Sequence, residues 1–277
     1  MIWVDTDCAM GSPWGDVDDG FALALLFAAQ APIVGISTVF GNTSADRAKS
    51  NCESLISCFQ SSMNYQKLTT VIGGAKSAKN LSTFCAHQIL STASQGNLRI
   101  LALGPLTNIA AVLNQKEAKT NPQKLISEVV IVGTNSSSIG RWPPIWPHEF
   151  NLTHDIEATR TIYESPLELT IIPLNQAYRL YFQFRNCSQS KIGKHLTRKS
   201  IRWMIRSLLI RGSTKFPIWD LVAAAYAVQP QFFEFTKTPV KMHKNCRFEY
   251  GTGERSVKLL KNYDVKKVWN YFIEQIR

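Results

Sequence analysis

Six short segments in the first 175 residues constrain the fold more than any other feature of this chain. They are apolar almost throughout, do not alternate with polar residues, and cover residues 2–4, 33–40, 68–72, 98–103, 129–132 and 168–174. Strands that are buried on both faces of a parallel sheet have this composition. Helix-forming stretches lie between them, near residues 18–29, from 43 or 44, at 109–113 and at 155–163. We therefore predict an α/β fold with a doubly wound, mostly parallel central sheet and helices on both faces.

The last hundred residues have a different character. Residues 188–210 predict a basic amphipathic helix and residues 220–228 a short apolar helix. A β-rich stretch at 240–260 and a closing helix at 265–276 follow. No linker rich in proline or serine and no internal repeat divides the chain, so we predict one α/β domain over residues 1–277.

The chain is basic, with 31 Lys and Arg against 20 Asp and Glu and a formal net charge of +11. The predicted basic helix carries a stripe of cations at Arg198, Arg202 and Arg206. Its apolar side chains fall elsewhere, at Ile192, Leu196, Met204 and Leu208. This pattern favours a solvated cationic face over a nucleic-acid or membrane site. No apolar run approaches the roughly 18 residues of a membrane span, and we expect neither a nucleic-acid nor a membrane partner.

The cysteines and the first residues bear on location. None of the six cysteines has the spacing of a C-x-x-C pair or a zinc site. Asp5 and Asp7 stand where a signal peptide would have a basic start followed by an apolar run. We expect free thiols and a cytoplasmic protein.

Acidic residues crowd the end of the first predicted strand. Asp5 and Asp7 end that strand, and Asp16, Asp18 and Asp19 follow after a short loop. Ligands of open parallel sheets bind beyond the carboxyl ends of the strands. Capping of the next helix accounts for one or two carboxylates but not for five. A hard divalent cation held by oxygen, calcium or magnesium, accounts for the whole cluster.

Five motifs occur in order along the chain. They are D-T-D at 5–7 with D-D-G at 18–20, T-V-F-G-N at 38–42, G-P-L-T-N-I-A at 104–110, E-F-N at 149–151 before Asp155, and W-D at 219–220 before an alanine-rich helix. In this order the chain resembles the nucleoside hydrolase family, the inosine-uridine preferring N-ribohydrolases. It departs from the family pattern in a longer loop at 8–15 and in Val132-Gly133-Thr134, where the family has Met-Gly-Gly.

The resemblance implies a role for particular residues of this sequence. A calcium ion would be held by Asp7, Asp19, the Leu103 carbonyl and Asp220, with Asp7 also the base that activates water. The ribose would be held by Asp18, Asn42, Glu149 and Asn151. The resemblance also implies a small-molecule nucleoside substrate and a homodimer or homotetramer.

Tryptophans suggest how the nucleobase is held. Trp219 stands where other family members have the histidine thought to assist base departure. An indole cannot protonate the base near neutral pH, but it can stack on a purine. Trp142 or Trp146 could form the opposite wall, and we expect a preference for purine nucleosides.

Two other functions fit parts of the sequence. A catalytically silent protein of the same fold would bind ribose or nucleosides without hydrolysing them. A phosphatase of the haloacid dehalogenase type would use Asp5 as nucleophile with magnesium. The phosphatase hypothesis leaves the motifs at 104–110, 149–151 and 219–220 unexplained.

Overall fold

The computed structural model describes residues 1–63, 70–134, 149–187 and 189–277. Nine strands occur in these ranges: β1 Ile2–Thr6, β2 Ile33–Thr38, β3 Val71–Gly73, β4 Leu98–Ala102, β5 Ile126–Val132, β6 Leu169–Ile172, β7 Phe233–Met242, β8 Phe248–Tyr250 and β9 Arg255–Tyr263. The α-helices are α1 Asp18–Ala28, α2 Ala45–Met63, α3 Thr83–Ala93, α4 Thr107–Leu113, α5 Lys116–Thr120, α6 Phe150–His154, α7 Ile156–Glu164, α8 Leu174–Ala177, α9 Phe184–Cys187, α10 Lys191–Arg211, α11 Trp219–Val228 and α12 Val265–Gln275. Short 3₁₀ turns cover Pro122–Lys124 and Pro230–Phe232.

All nine strands join one sheet, in the order β3-β2-β1-β4-β5-β6-β9-β7-β8. The strands from β3 to β9 in this order pair in parallel, and β7 pairs antiparallel with both β9 and β8. The prediction of a mostly parallel sheet is confirmed. Strand order reverses between β1 and β4, which opens a crevice at their carboxyl ends.

Helices cover both faces of the sheet, as predicted. One core contains Phe21 of α1, Leu221 of α11 and Phe272 of α12. The other contains Ile89 of α3 and Ile109 of α4. Helix α3 was absent from the sequence-based prediction, and the predicted strand at 68–72 lies partly outside the described residues.

Helix α1 is buried along almost its whole length, which explains why its sequence is apolar on every side. It packs against α11, which is also buried from Asp220 to Tyr226. Two helix starts therefore meet at the carboxyl edge of the sheet, where both carry acidic residues.

The sequence predicted free thiols and no membrane-spanning segment. All six cysteines are free thiols. Among the described residues, no helix combines the length and the apolar character needed to cross a bilayer.

Candidate active site

Three buried carboxylates from two helices meet at one point. Asp18 and Asp19 begin α1, Asp220 is the second residue of α11, and one oxygen from each lies within 4.8 Å of the other two. Helix amino termini carry partial positive charge, which favours acids there. Even so, burial raises the pKa of Asp19 and Asp220 well above the usual value, and neighbouring carboxylates raise it further.

This three-acid cluster fits a divalent cation. Asp19 accepts a hydrogen bond from the Thr6 hydroxyl, while its Oδ2 is buried with no hydrogen-bond partner. Within the described parts of the chain, no Lys, Arg or His pairs with Asp18, Asp19 or Asp220. Buried carboxylates without compensation are costly. An all-oxygen donor set suits calcium or magnesium.

Asp7 lies directly after β1 and is held by Asn42. Its Oδ2 accepts from the Asn42 backbone N–H at 2.6 Å, and its Oδ1 from the Asn42 amide at 3.3 Å. Burial raises the pKa of Asp7 to about 7, with the negative charge of Asp18 adding to the effect. Gly41 is needed here, because a Cβ at that position would lie 1.9 Å from Asp7 Oδ2.

Asp7 belongs to the neighbourhood of the cluster rather than to the group of three. Its charge contributes to the raised pKa values of Asp19 and Asp220. Its assignment as a metal ligand stays a prediction, and the geometry adds Asp18 as a candidate ligand that sequence reasoning had given to the ribose.

Leu103 and Asn151 are joined across the crevice. The Leu103 carbonyl follows β4 and accepts a hydrogen bond from Asn151 Nδ2 at 2.9 Å. A carbonyl oxygen has a second lone pair, so this bond leaves the predicted metal contact available. The bond also fixes the Asn151 amide at the edge of the site.

Glu149 precedes α6 and caps it. Its Oε2 accepts from the Leu152 backbone N–H at 2.6 Å, and desolvation raises its pKa to about 8. Gly133 leaves room for this side chain, because a Cβ at that position would lie only 2.8 Å from Glu149 Oε1. Glu149 and Asn151 thus line the same pocket as Asp18 and Asp220.

These groups line a pocket of about 400 Å³, within the range of small-molecule sites. The predicted site residues on its wall are Asp18, Asn42, Leu103, Glu149, Asn151, Trp219 and Asp220. Trp142 and Trp146 lie outside the described residues.

The pocket wall includes residues that sequence reasoning had not assigned to the site, and two of them come from α10. Trp203 is buried, and the Arg206 guanidinium lies 4.7 Å from the centre of its indole ring. Arg206 also donates from Nη1 to the Trp14 carbonyl at 2.6 Å. The prediction that Arg206 belongs to a solvated stripe holds only in part: the residue is half-buried, and its guanidinium contacts Trp14 and Trp203 at the pocket wall. In the sequence, the sign of the inward face of α10 was the seven-residue spacing of the apolar Leu196 and Trp203.

Trp219 opens α11 beside Asp220 and is half-buried on the pocket wall. Its Nε1–H is buried with no hydrogen-bond partner in the described structure. Phe150 and His154 complete the aromatic part of the wall, with ring centres 3.8 Å apart. His154 is exposed and its Nδ1 lies 2.8 Å from the Phe150 carbonyl oxygen.

Asp5 is not part of the three-acid cluster. It is fully buried beneath the site, where it accepts hydrogen bonds from Ser37 and from Asn108 Nδ2. Asn108 in turn accepts from the Ala75 backbone N–H at 2.8 Å and so ties three strand ends together. A phosphatase nucleophile would need a free carboxylate oxygen at the pocket, whereas Oδ1 of Asp5 is held by Ser37 and Asn108, and Asp5, like Asp7, is absent from the described pocket wall.

The sequence matches a family of known proteins over nearly its whole length. Residues 2–270 match the family described as inosine-uridine preferring nucleoside hydrolase, and the chain belongs to that family. It is 25% identical over 269 residues to uridine nucleosidase 1 of Arabidopsis thaliana, covering 82% of this chain and 76% of that protein. It is 28% identical over 267 residues to the non-specific ribonucleoside hydrolase RihC of Salmonella paratyphi B, covering 85% and 83%.

Solved structures show the same fold. The purine-preferring ribonucleoside hydrolase from Gardnerella vaginalis superposes with a TM-score of 0.78 at 17% identity, covering 99% of this chain and 97% of that one.

Proposed function

We propose that this protein hydrolyses the N-glycosidic bond of ribonucleosides, releasing ribose and a free base, with calcium as its cation. The observation that carries the proposal is the cluster of Asp18, Asp19 and Asp220, of which Asp18 and Asp220 line the pocket, in a chain of this family. The relatives named above act on uridine or on ribonucleosides in general, so the reaction type is common to them.

The sugar would be bound by the chain's own residues. Asp18, Asn42, Glu149 and Asn151 carry carboxylate and amide groups on the pocket wall. Such groups accept from and donate to ribose hydroxyls. Cleavage of the bond to the base leaves positive charge on the sugar, and nearby carboxylates stabilise that charge.

The proposed cation would be held by Asp19 and Asp220, with Asp7, the Leu103 carbonyl or Asp18 completing the oxygen set. Bound there, it would orient the ribose diol and make a water molecule more acidic. Asp7 would take the proton of the attacking water, since Asn42 fixes both of its oxygens.

The base would lie against the aromatic side chains of the pocket wall. Trp219 offers an indole face next to the cluster, and base–aromatic contacts contribute roughly 1–3 kcal/mol. Because stacking favours the larger ring system, we infer a preference for purine nucleosides.

The silent binding protein is the second candidate, because the 8–15 loop and the Val132-Gly133-Thr134 segment differ from the family pattern. The cluster and Asp7 argue against it, since loss of activity usually removes one of these groups.

The deciding experiment incubates the protein with inosine, adenosine, uridine and cytidine, with and without chelator, and measures reducing sugar. Calcium-dependent release of ribose supports the proposal. Nucleoside binding without release under all conditions would identify the silent protein instead.

A further inference from the structure

Helix α10 leaves an apolar face uncovered. One side of the helix is buried at Leu196, Ser200, Trp203 and Ser207. The opposite side exposes Ile201 (46%), Ile205 (46%), Leu208 (47%) and Leu209 (74%). The spacing i, i+4, i+7 and i+8 places these four on one face, which we call the α10 outer face. Five of the eleven large hydrophobic side chains exposed in the described structure belong to this helix.

The same helix is strongly cationic. Residues 191–211 contain seven Lys and Arg and no Asp or Glu. Arg198 and Arg202 are exposed within one turn of Ile201 and Ile205. Among the ion pairs in the described residues, none involves Lys194, Arg198 or Arg202. A merely solvated cationic face would not carry four exposed aliphatic side chains between its arginines.

We propose that the α10 outer face binds the surface of a membrane containing anionic phospholipid. Aliphatic side chains on one face of a basic helix enter the boundary between headgroups and acyl chains, while lysines and arginines meet the lipid phosphates. Arginine stems can lie along the apolar surface with their guanidinium groups in water. The net charge of +11 attracts the whole protein to the same surface. This differs from the sequence-based expectation of no membrane partner.

Charge favours lipid over a second copy of the chain. Two outer faces packed together would bring Arg198 and Arg202 of each copy close to those of the other, and no acidic residue of α10 could offset them. Anionic headgroups supply the opposite charge without requiring a matching protein surface.

The test is cosedimentation with vesicles of phosphatidylcholine alone and of phosphatidylcholine mixed with phosphatidylserine, at low and high salt. We expect binding to the mixed vesicles only, weakened by salt. Ile205→Glu with Leu209→Glu should reduce binding more than tenfold. Arg198→Gln with Arg202→Gln should reduce it as well, since each cation near an anionic surface contributes on the order of fivefold.

The matched control is Leu81→Glu with Phe84→Glu, which adds the same two negative charges at side chains 49% and 63% exposed at the start of α3. It should bind vesicles like the parent, and thermal unfolding checks that every variant folds. Nucleoside hydrolysis without vesicles should be unchanged in all of them. No binding to mixed vesicles, equal binding to both vesicle types, or equal loss in the control would overturn the proposal. So would a parent oligomer that ignores vesicles and dissociates in the Ile205/Leu209 variant, which would make this face a contact between copies.

Discussion

Asn42 donates two hydrogen bonds to Asp7, one from its backbone N–H at 2.6 Å and one from its side-chain amide at 3.3 Å. The two residues follow neighbouring parallel strands, β1 and β2, whose carboxyl ends lie at the same edge of the sheet. Asn42 therefore fixes the direction of the Asp7 carboxylate from two sides. An aspartate held in this way is suited to take a proton from one defined position.

Replacing Asp7 with asparagine should stop turnover while the sugar still binds. The amide keeps an oxygen of similar shape but cannot accept the proton of the attacking water. Loss of a general base costs about 10²–10⁴-fold, so kcat for inosine should fall by that amount with a modest change in Kd. Asp46→Asn, an exposed aspartate on α2, is the control and should match the parent. Parental activity in Asp7→Asn would refute the assignment of the base.

Removing the cation should lower activity and stability together. The buried carboxylates of Asp18, Asp19 and Asp220 repel one another when nothing neutralises them. A chelator should abolish hydrolysis and lower Tm, and calcium should restore both. A ligand that binds only the folded state at a hundred times its Kd contributes about 2.7 kcal/mol. In Asp220→Asn the calcium-dependent rise in Tm should shrink. An identical melt with chelator and with calcium would show that no cation binds here.

The raised pKa of Glu149 should appear as a pH dependence of stability. Burial raises this pKa from 4.5 to about 8, so the folded protein keeps a proton that the unfolded chain has released. The resulting stability is complete below the unfolded value and is lost as pH rises towards the folded one. Thermal melts of calcium-free protein should show that Glu149→Gln loses less stability than the parent across this window. Glu157→Gln, an exposed change on α7, should follow the parent; the same slope in all three proteins would contradict the prediction.

The sequence predicted those parts of the protein that depend on local pattern and chain order. Uninterrupted apolar strands predicted the parallel sheet. The acidic segment after the first strand pointed to Asp18, and the family resemblance pointed to Asn42, Leu103 and Asp220; all four lie on one pocket wall. The place of β7, β8 and β9 in the sheet was harder to predict, because β9 joins the sheet through its parallel pairing with β6, which is distant in sequence.

Other parts of the site depend on how a helix is rotated in the assembled fold. Arg206 looked equivalent to Arg198 and Arg202 on the basic stripe, yet it lies over Trp203 and donates to Trp14. Leu208 was grouped with Ile192 and Leu196 away from the cationic stripe, yet it is 47% exposed whereas those two are buried. Periodicity gives a helix its two faces, but the packing of α10 against α2 and α9 decides which residues at the border turn inwards.

Trp219 should matter most when the leaving base is hard to release. Departure of a purine leaves negative charge on the ring, and Trp219 cannot supply a proton near neutral pH. Its half-buried indole can stack on the purine, raise the basicity of the ring and let solvent protonate it. Trp219→Ala should therefore lower kcat/KM for inosine by roughly tenfold or more, given the 1–3 kcal/mol of a base–aromatic contact. The loss should be much smaller with nitrophenyl riboside, whose leaving group needs no proton.

Trp269→Phe, which changes a core tryptophan of α12 away from the pocket, controls for general loss of packing. Equal losses on both substrates, or a parent enzyme that prefers uridine to inosine, would exclude stacking by Trp219 as the basis of leaving-group activation.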